Sequence, residues 1–168
     1  GGVDERSFKR QVQPWIDRGV ARFLGSCNKE TVAKELSCHD ALVLTSEFEG
    51  LPLSLLEAMA QQCVPVVTDI ESGVAEILVN GENAMMSPVG AMDQMAENIA
   101  TLHRDRELCK RLGDNAFQTL FDFKLTASQM AEQYQDILTS IFSKIESKHS
   151  EEQVPLNCSF VRSMLGAA

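Results

Sequence analysis

The sequence predicts an α/β fold in which a parallel sheet is flanked by helices, with further helices following the sheet. Three observations support this. Short apolar runs alternate with segments of helical periodicity, as in successive strand–helix–strand units. The run at residues 41–45 is continuously apolar, which is typical of a parallel strand covered on both faces. Beyond residue 90 the helical pattern continues without further strand-like runs.

The first elements alternate between helix and strand. A helix is predicted over residues 4–17 from apolar residues three and four positions apart, with Pro14 kinking or ending it. Residues 20–24 (VARFL) predict a short strand closed by Gly25. Asn28 is a suitable N-cap for a helix over residues 28–36.

The middle of the chain repeats the alternation. Residues 41–45 (ALVLT) predict a strand buried on both faces, and Pro52 is suited to open a helix that runs to residue 62. Residues 64–68 (VPVVT) predict the next strand. A short helix over residues 74–79 and the Asn80-Gly81 turn then lead to an edge strand at residues 84–86.

The C-terminal third is helical. Apolar residues recur at helical intervals over residues 91–103, 106–117 and 126–148. A polar stretch begins at Ser147. We therefore expect residues 1–146 to form one domain and residues 147–168 to be a poorly ordered linker and tail.

Composition and charge exclude several function classes. The chain has 15 Lys and Arg against 24 Asp and Glu, a net charge of −9, and lacks the clustered cations of a nucleic-acid surface. No apolar run approaches the roughly 20 residues of a membrane-spanning helix. Five scattered cysteines without metal-ligand spacing favour reduced thiols and a cytoplasmic protein. A buried structural role is expected for Cys63.

The most informative segment lies just past the strand at residues 41–45, where open α/β sheets bind ligands. Gly50 allows close approach of the backbone to a ligand. Pro52 at the helix start would leave the N–H groups of Leu53, Ser54 and Leu55 free to bind an anion, most naturally a phosphate.

Glu57 lies in this apolar helix on one stripe with Leu53 and Ala60. Burial of that stripe would demand donors for the carboxylate, which the hydroxyls of a sugar or ribose would supply. The alternative is a solvated acidic residue in an early helical turn. The pattern alone favours the two about equally.

Residues 49–60 (EGLPLSLLEAMA) resemble the E-x7-E signature of retaining glycosyltransferases of family four, in their nucleotide-sugar-binding C-terminal domain. Matches to further family motifs occur in the right order across residues 20–123, at residues 23–25 (FLG), 65–68 (PVVT), 72–76 (SGVAE), 80–84 (NGENA) and 112–116 (LGDNA). The chain departs from the family at Gln61-Gln62, where a glycine is usual. The resemblance implies a Rossmann-like half of a GT-B enzyme, here starting after its first strand.

The resemblance also implies roles for individual residues. Glu57 would bind the ribose hydroxyls of the donor, and Glu49 would lie beside the donor sugar as the catalytic carboxylate. The remaining donor-binding residues implied are Gly50, Leu51, Pro52 and Leu53 at the sugar and pyrophosphate, and Ser26 and Cys27 at the nucleobase. No metal or other cofactor is expected, since family members neutralise the pyrophosphate with helix dipoles and basic side chains.

The resulting hypothesis is the donor-binding half of a hexosyltransferase-type enzyme of polysaccharide biosynthesis, acting on a glycan or lipid-linked acceptor. Its partners would be a nucleotide sugar and an N-terminal acceptor domain absent from this chain, so that the isolated chain would be inactive. Peripheral membrane contact of the full-length protein, its oligomeric state, and the base and sugar of the donor stay open. The alternative is a non-catalytic nucleotide-sugar-binding or assembly domain.

Overall fold

A computed structural model of the chain describes the backbone of residues 5–152 and the side chains of residues 6–146. The chain divides into two compact units, residues 1–120 and residues 121–168. The described elements, in chain order, are α1 (Glu5–Asp17), α2 (Lys29–Leu36), β1 (Ala41–Leu44), α3 (Leu53–Ala60), β2 (Val64–Asp69), α4 (Gly73–Ile77), β3 (Met85–Pro88), α5 (Met92–Arg104), α6 (Arg106–Asp122) and α7 (Ala127–Glu152).

The first unit contains a parallel sheet in the order β1-β2-β3. Ala41 lies opposite Val64, and Val66 lies opposite Met85. The central strand β2 is buried from Val64 to Thr68. One apolar cluster joins it to α5 and α6 and consists of Val64, Val66, Met95, Leu102, Cys109 and Leu112. Helix α3 packs against β1 and β2. The predicted parallel α/β fold is confirmed.

The strand predicted at residues 20–24 is wrong. These residues belong to no helix and to no sheet in the described structure. The N–H groups of Val20 and Ala21 donate to the carbonyl oxygen of Trp15 at 2.8 and 3.1 Å, so they close the end of α1. The Phe23 ring is partly exposed and contacts the Lys9 ammonium, 4.1 Å from its centroid. An apolar run becomes a strand only where a neighbouring strand pairs with it.

The expectation that β1 is buried on both faces is also wrong. Val43 is 43 % exposed, and its neighbours in the strand are only partly buried. The reason is its position, because β1 pairs with β2 on one side and lies at the edge of the described sheet. Full burial on both faces is found in β2 instead.

The turn between α3 and β2 holds the clearest local departure from ordinary backbone geometry. Gln62 has a φ of 59°, in the left-handed region that favours glycine. Its carbonyl oxygen points at Gly113 of α6, where an added Cβ would lie 2.3 Å from that oxygen. The Gln61-Gln62 departure therefore falls on a position whose backbone suits glycine.

The second unit contains the end of α6 and the whole of α7. Apolar side chains are partly exposed along one stripe of α7, at Met130, Tyr134, Ile137, Leu138, Ile141 and Ile145. Helix α7 extends to Glu152, past the predicted linker start at Ser147. Residues 153–168 lie outside the described residues, and the domain division at residue 146 stays a prediction. None of the described helices is both long and apolar enough to span a membrane.

Candidate functional site

Two segments meet at the carboxyl-terminal edge of the sheet. Residues 45–52 follow β1, and residues 70–72 follow β2. The Thr68 hydroxyl, near the end of β2, donates a hydrogen bond to the Ser46 carbonyl oxygen. A Cβ added to Gly73 would lie 3.1 Å from the Gly50 carbonyl oxygen and 3.3 Å from the Leu51 Cβ. The segment predicted to bind the donor is therefore held in place by the end of β2 and the start of α4.

Glu49 is half-buried in this segment. The Ser46 hydroxyl donates to Glu49 Oε1 at 2.7 Å, which orients the carboxylate within its own loop. The neighbouring Phe48 side chain is 90 % exposed. Glu49 is thus a partly accessible carboxylate that a neighbouring hydroxyl orients, which is compatible with contact to a bound ligand.

Helix α3 begins after Pro52 as predicted, but its N-terminus has one fewer free N–H group than expected. Pro52 is the N-cap in an extended conformation and forms no side-chain cap. The Leu55 N–H donates to the Pro52 carbonyl oxygen at 3.0 Å, so its expected availability to an anion is wrong. The amides of Leu53 and Ser54 make no hydrogen bond with any described residue. Two amides, at the positive end of the helix dipole, are thus available to an anion.

Glu57 is exposed, so of the two alternatives left open by the sequence the structure has the solvated carboxylate and not the buried stripe. Leu53, on the same stripe, is 74 % exposed, while Leu55, Ala58 and Met59 form the buried face of α3. A helix of eight residues with apolar residues almost all round gives no periodic contrast that would identify the buried side. The Glu57 carboxylate needs no buried partner and is available to a ligand.

A shallow cleft of about 200 Å³ lies between α2 and α3, lined by Lys29, Ala33, Glu57, Ala60 and Gln61. Sequence reasoning did not identify Lys29. A signal was present, because Lys29 is the first residue of α2, where the helix dipole disfavours a cation.

Ser26 and Cys27 lie just before α2 and do not line this cleft. The Cys27 Sγ atom is 3.8 Å from the carbonyl oxygens of Leu24 and Gly25. Asn28 caps α2 as predicted, because its side-chain oxygen accepts from the Thr31 N–H at 2.9 Å. The nucleobase role of Ser26 and Cys27 stays a prediction.

The predicted structural role of Cys63 is confirmed. Cys63 is buried, and its thiol donates to the carbonyl oxygens of Leu36 and His39 at 3.1 and 3.2 Å. Burial raises the pKa of the Cys63 thiol, which keeps it protonated and unreactive. In the part of the chain that the structure describes, no group of three or more His, Cys, Asp or Glu residues is arranged to hold a metal ion.

A polar cleft of about 270 Å³ is found beside residues 39–40 and 61–62, which precede β1 and β2 at the opposite edge of the sheet. Its charges are largely paired with one another. Arg106 pairs with Asp40, and this hydrogen bond holds the pKa of the Asp40 carboxyl below its ordinary value. Lys110 pairs with Asp114. These ion pairs leave little unpaired charge to bind a ligand at the amino-terminal edge of the sheet.

Comparison with known protein families gives a match between residues 1–119 and the family model described as Glycosyl transferases group 1. One curated relative is the N-acetyl-alpha-D-glucosaminyl L-malate synthase of Bacillus anthracis, 31% identical over 116 residues. Another is the N,N'-diacetylbacillosaminyl-diphospho-undecaprenol alpha-1,3-N-acetylgalactosaminyltransferase of Campylobacter jejuni, 27% identical over 143 residues. These matches cover 68% and 84% of this chain but only 29% and 37% of the relatives.

Solved structures show the same fold. S. aureus TarM, in a complex that contains UDP, superposes with a TM-score of 0.69 at 21% identity, covering 80% of this chain and 27% of TarM. The C-terminal domain of the group 1 protein LpcC from Francisella tularensis has a TM-score of 0.58 at 24% identity. That match covers 73% of this chain and 64% of the LpcC domain.

Proposed function

The chain belongs to the glycosyl transferases group 1 family, and from this premise we propose that it is the donor-binding half of a retaining glycosyltransferase. The enzyme would transfer a hexose-type sugar from a nucleotide sugar to a glycan or lipid-linked acceptor. The observation that carries the proposal is that Glu49, in the loop before α3, and Glu57, within α3, flank the start of this helix, both within the matched residues. The UDP in the TarM complex supports a nucleotide ligand.

The geometry suggests how the donor would lie. The two free amides at Leu53 and Ser54 would bind an oxygen of the diphosphate, which carries the charge that a helix N-terminus favours. Glu57, one turn farther along α3, would accept hydrogen bonds from the ribose hydroxyls. Glu49, oriented by the Ser46 hydroxyl, would lie against the sugar.

The proposal assigns donor binding to this chain and acceptor binding to a different domain. The C1–O bond between the sugar and the diphosphate would break, with its electron pair leaving on the diphosphate. The oxygen of an acceptor hydroxyl would bond to the anomeric carbon with retention, and its proton would pass to the departing diphosphate. The 168-residue chain by itself would bind nucleotide and transfer little or no sugar. The exposed thiol of Cys38 and the half-buried thiol of Cys27, both free, favour a reducing compartment such as the cytoplasm.

Calorimetric titration of the chain with UDP, GDP and ADP tests the proposal. We expect one of the three to bind and Glu57→Ala to weaken it by at least about tenfold, since charge-assisted hydrogen bonds to two hydroxyls are lost. Glu82→Ala, which removes an exposed carboxylate outside the cleft, is the matched control and should leave the affinity unchanged.

Two results would count against the proposal in different ways. Absence of binding for all three nucleotides would reject the donor site itself. Binding that is indifferent to Glu57→Ala would keep the donor site but reject the ribose contact. Sugar transfer by a longer protein that contains this chain, abolished by Glu49→Gln, would separate an enzyme from the non-catalytic alternative.

A further inference from the structure

The cleft between α2 and α3 is lined by one cationic side chain, that of Lys29, for which the surrounding structure shows no stabilising role. Two methyl groups, from Ala33 and Ala60, lie among the polar side chains of Lys29, Glu57 and Gln61. Lys29 is exposed and forms no ion pair with any residue that the structure describes. At the first position of α2 its charge opposes the helix dipole, which is unfavourable for the helix. Helix stability therefore does not explain a lysine here.

The order of groups along α3 matches the order of groups in a nucleoside diphosphate. The free amides at the helix start would take the diphosphate, and Glu57 lies four residues, about 6 Å, farther along the axis. Ala60 and Gln61 continue the same direction by about another 5 Å. With the ribose at Glu57, the base therefore falls in the part of the cleft that Lys29, Ala33 and Ala60 line.

The hydrogen-bonding capacity of lysine restricts the groups of a nucleobase to which it can bind. An ammonium group has three hydrogen-bond donors and no acceptor. It can donate to a carbonyl oxygen, such as O4 of uracil or O6 of a 6-oxopurine. The exocyclic amino groups of cytosine and adenine are themselves donors and offer it nothing at the same ring positions. The methyl groups of Ala33 and Ala60 can contact either kind of ring and do not discriminate between bases.

We infer that Lys29 is a specificity-determining residue that selects a nucleotide donor with a carbonyl group at C4 of a pyrimidine or C6 of a purine, against one with an amino group there. The inference rests on the proposed function, because it requires a nucleotide bound through Glu57. It adds that the discrimination between bases comes from one side chain at the start of α2.

Two pairs of nucleotides isolate this contact. UDP differs from CDP at C4 and in the N3 protonation that goes with it, and IDP differs from ADP in the corresponding way at C6. Within each pair the ribose and the diphosphate are identical, so their contributions cancel in the ratio of the two dissociation constants. Calorimetric titration of the 168-residue chain with all four nucleotides gives both ratios.

We expect the keto member of at least one pair to bind about tenfold more tightly, the usual worth of one hydrogen bond to a charged group. Lys29→Met keeps the length of the side chain and should reduce the preference to about twofold or less. Lys29→Arg, which retains a cationic donor, should preserve it. Lys34→Met removes a charge from the same helix outside the cleft and should change neither ratio.

The failures are distinguishable. Equal weakening of UDP and CDP by Lys29→Met would place Lys29 on the phosphates and overturn the inference while leaving the donor site intact. A wild-type chain that prefers the keto member in neither pair, or a keto preference that survives Lys29→Met, would also overturn it. Binding of none of the four nucleotides would overturn the inference together with the proposed function.

Discussion

Replacement of Gly113 by alanine should destabilise the first unit strongly, against the ordinary preference of helices. Gly113 is a buried residue of α6. At an exposed position inside a helix, alanine is more stable than glycine by about 1 kcal/mol. An alanine Cβ at position 113 would, however, lie 2.3 Å from the Gln62 carbonyl oxygen. The expected sign of the change is therefore opposite to the one that helix propensity predicts.

The size of the effect follows from how far the backbone must move. Ordinary van der Waals contact of a Cβ begins at 3.4 Å, so the two segments must separate by about 1.1 Å. Neither the Gln62 turn nor α6 can shift easily. The clashing oxygen belongs to the backbone of the turn, and α6 is anchored by the buried side chains of Cys109, Leu112 and Ala116. Overpacking of this kind lowers the free energy of unfolding by about 3 kcal/mol, and the higher helix propensity of alanine offsets up to about 1 kcal/mol of that loss. We expect a net loss of about 2–3 kcal/mol and a Tm lowered by about 4–12 °C.

Urea and thermal unfolding followed by circular dichroism would measure the loss. Arg111→Ala, on the exposed side of the same helix, is the control and should change the free energy of unfolding by less than about 0.5 kcal/mol. A Gly113→Ala variant as stable as the wild type, or more stable, would show that α6 does not approach the Gln62 turn as closely as described. The reasoning from the close contact would then be refuted.

Two further changes test local geometry. Gln62→Gly should raise the free energy of unfolding by about 0.5–1 kcal/mol, because glycine adopts the φ of 59° without strain; urea unfolding that shows no gain would contradict this. Asn83→Ala should lower it by about 2–3 kcal/mol in the same assay. The buried Asn83 amide donates to the Ile77 carbonyl oxygen and the Thr119 hydroxyl, each at 2.9 Å, and accepts from the Val79 N–H at 2.7 Å. A loss below about 0.5 kcal/mol would mean that water replaces these partners.

The sequence was sufficient for the elements whose signal is local. Asn28 predicted the start of α2 because an N-cap acts within its own turn. The continuous apolar run at residues 64–68 predicted β2, whose burial on both faces is what such a run requires. Residues 20–24 have an apolar run that Arg22 interrupts, and pairing with another strand depends on residues distant in the chain, which a local pattern does not report.

The local structure around the candidate site was predicted more accurately than the exposure of its side chains. The helix start after Pro52 and the loop that carries Glu49 follow from residue types within one short segment. The exposure of Glu57 depends on which side of α3 faces β1 and β2, and an almost uniformly apolar helix does not specify that side. Lys29 lies 28 residues before Glu57 in the chain, so its place in the same cleft required the packing of α2 on α3.

The motifs that identify the family do not all serve the site. The segment with Glu49 and Glu57 and the Ser72-Gly73 turn meet at the carboxyl edge, where a ligand can reach them. In the Asn80–Ala84 turn, Asn83 is instead buried and hydrogen-bonded to α6, and Gly113 lies against the Gln62 turn at the end of α3. The latter two motifs hold α6 against the turns that connect the sheet with its helices. Loss of nucleotide binding in an Asn83 or Gly113 variant would consequently report unfolding, whereas the same loss in a Glu57 or Lys29 variant of unchanged stability would report contact with the nucleotide.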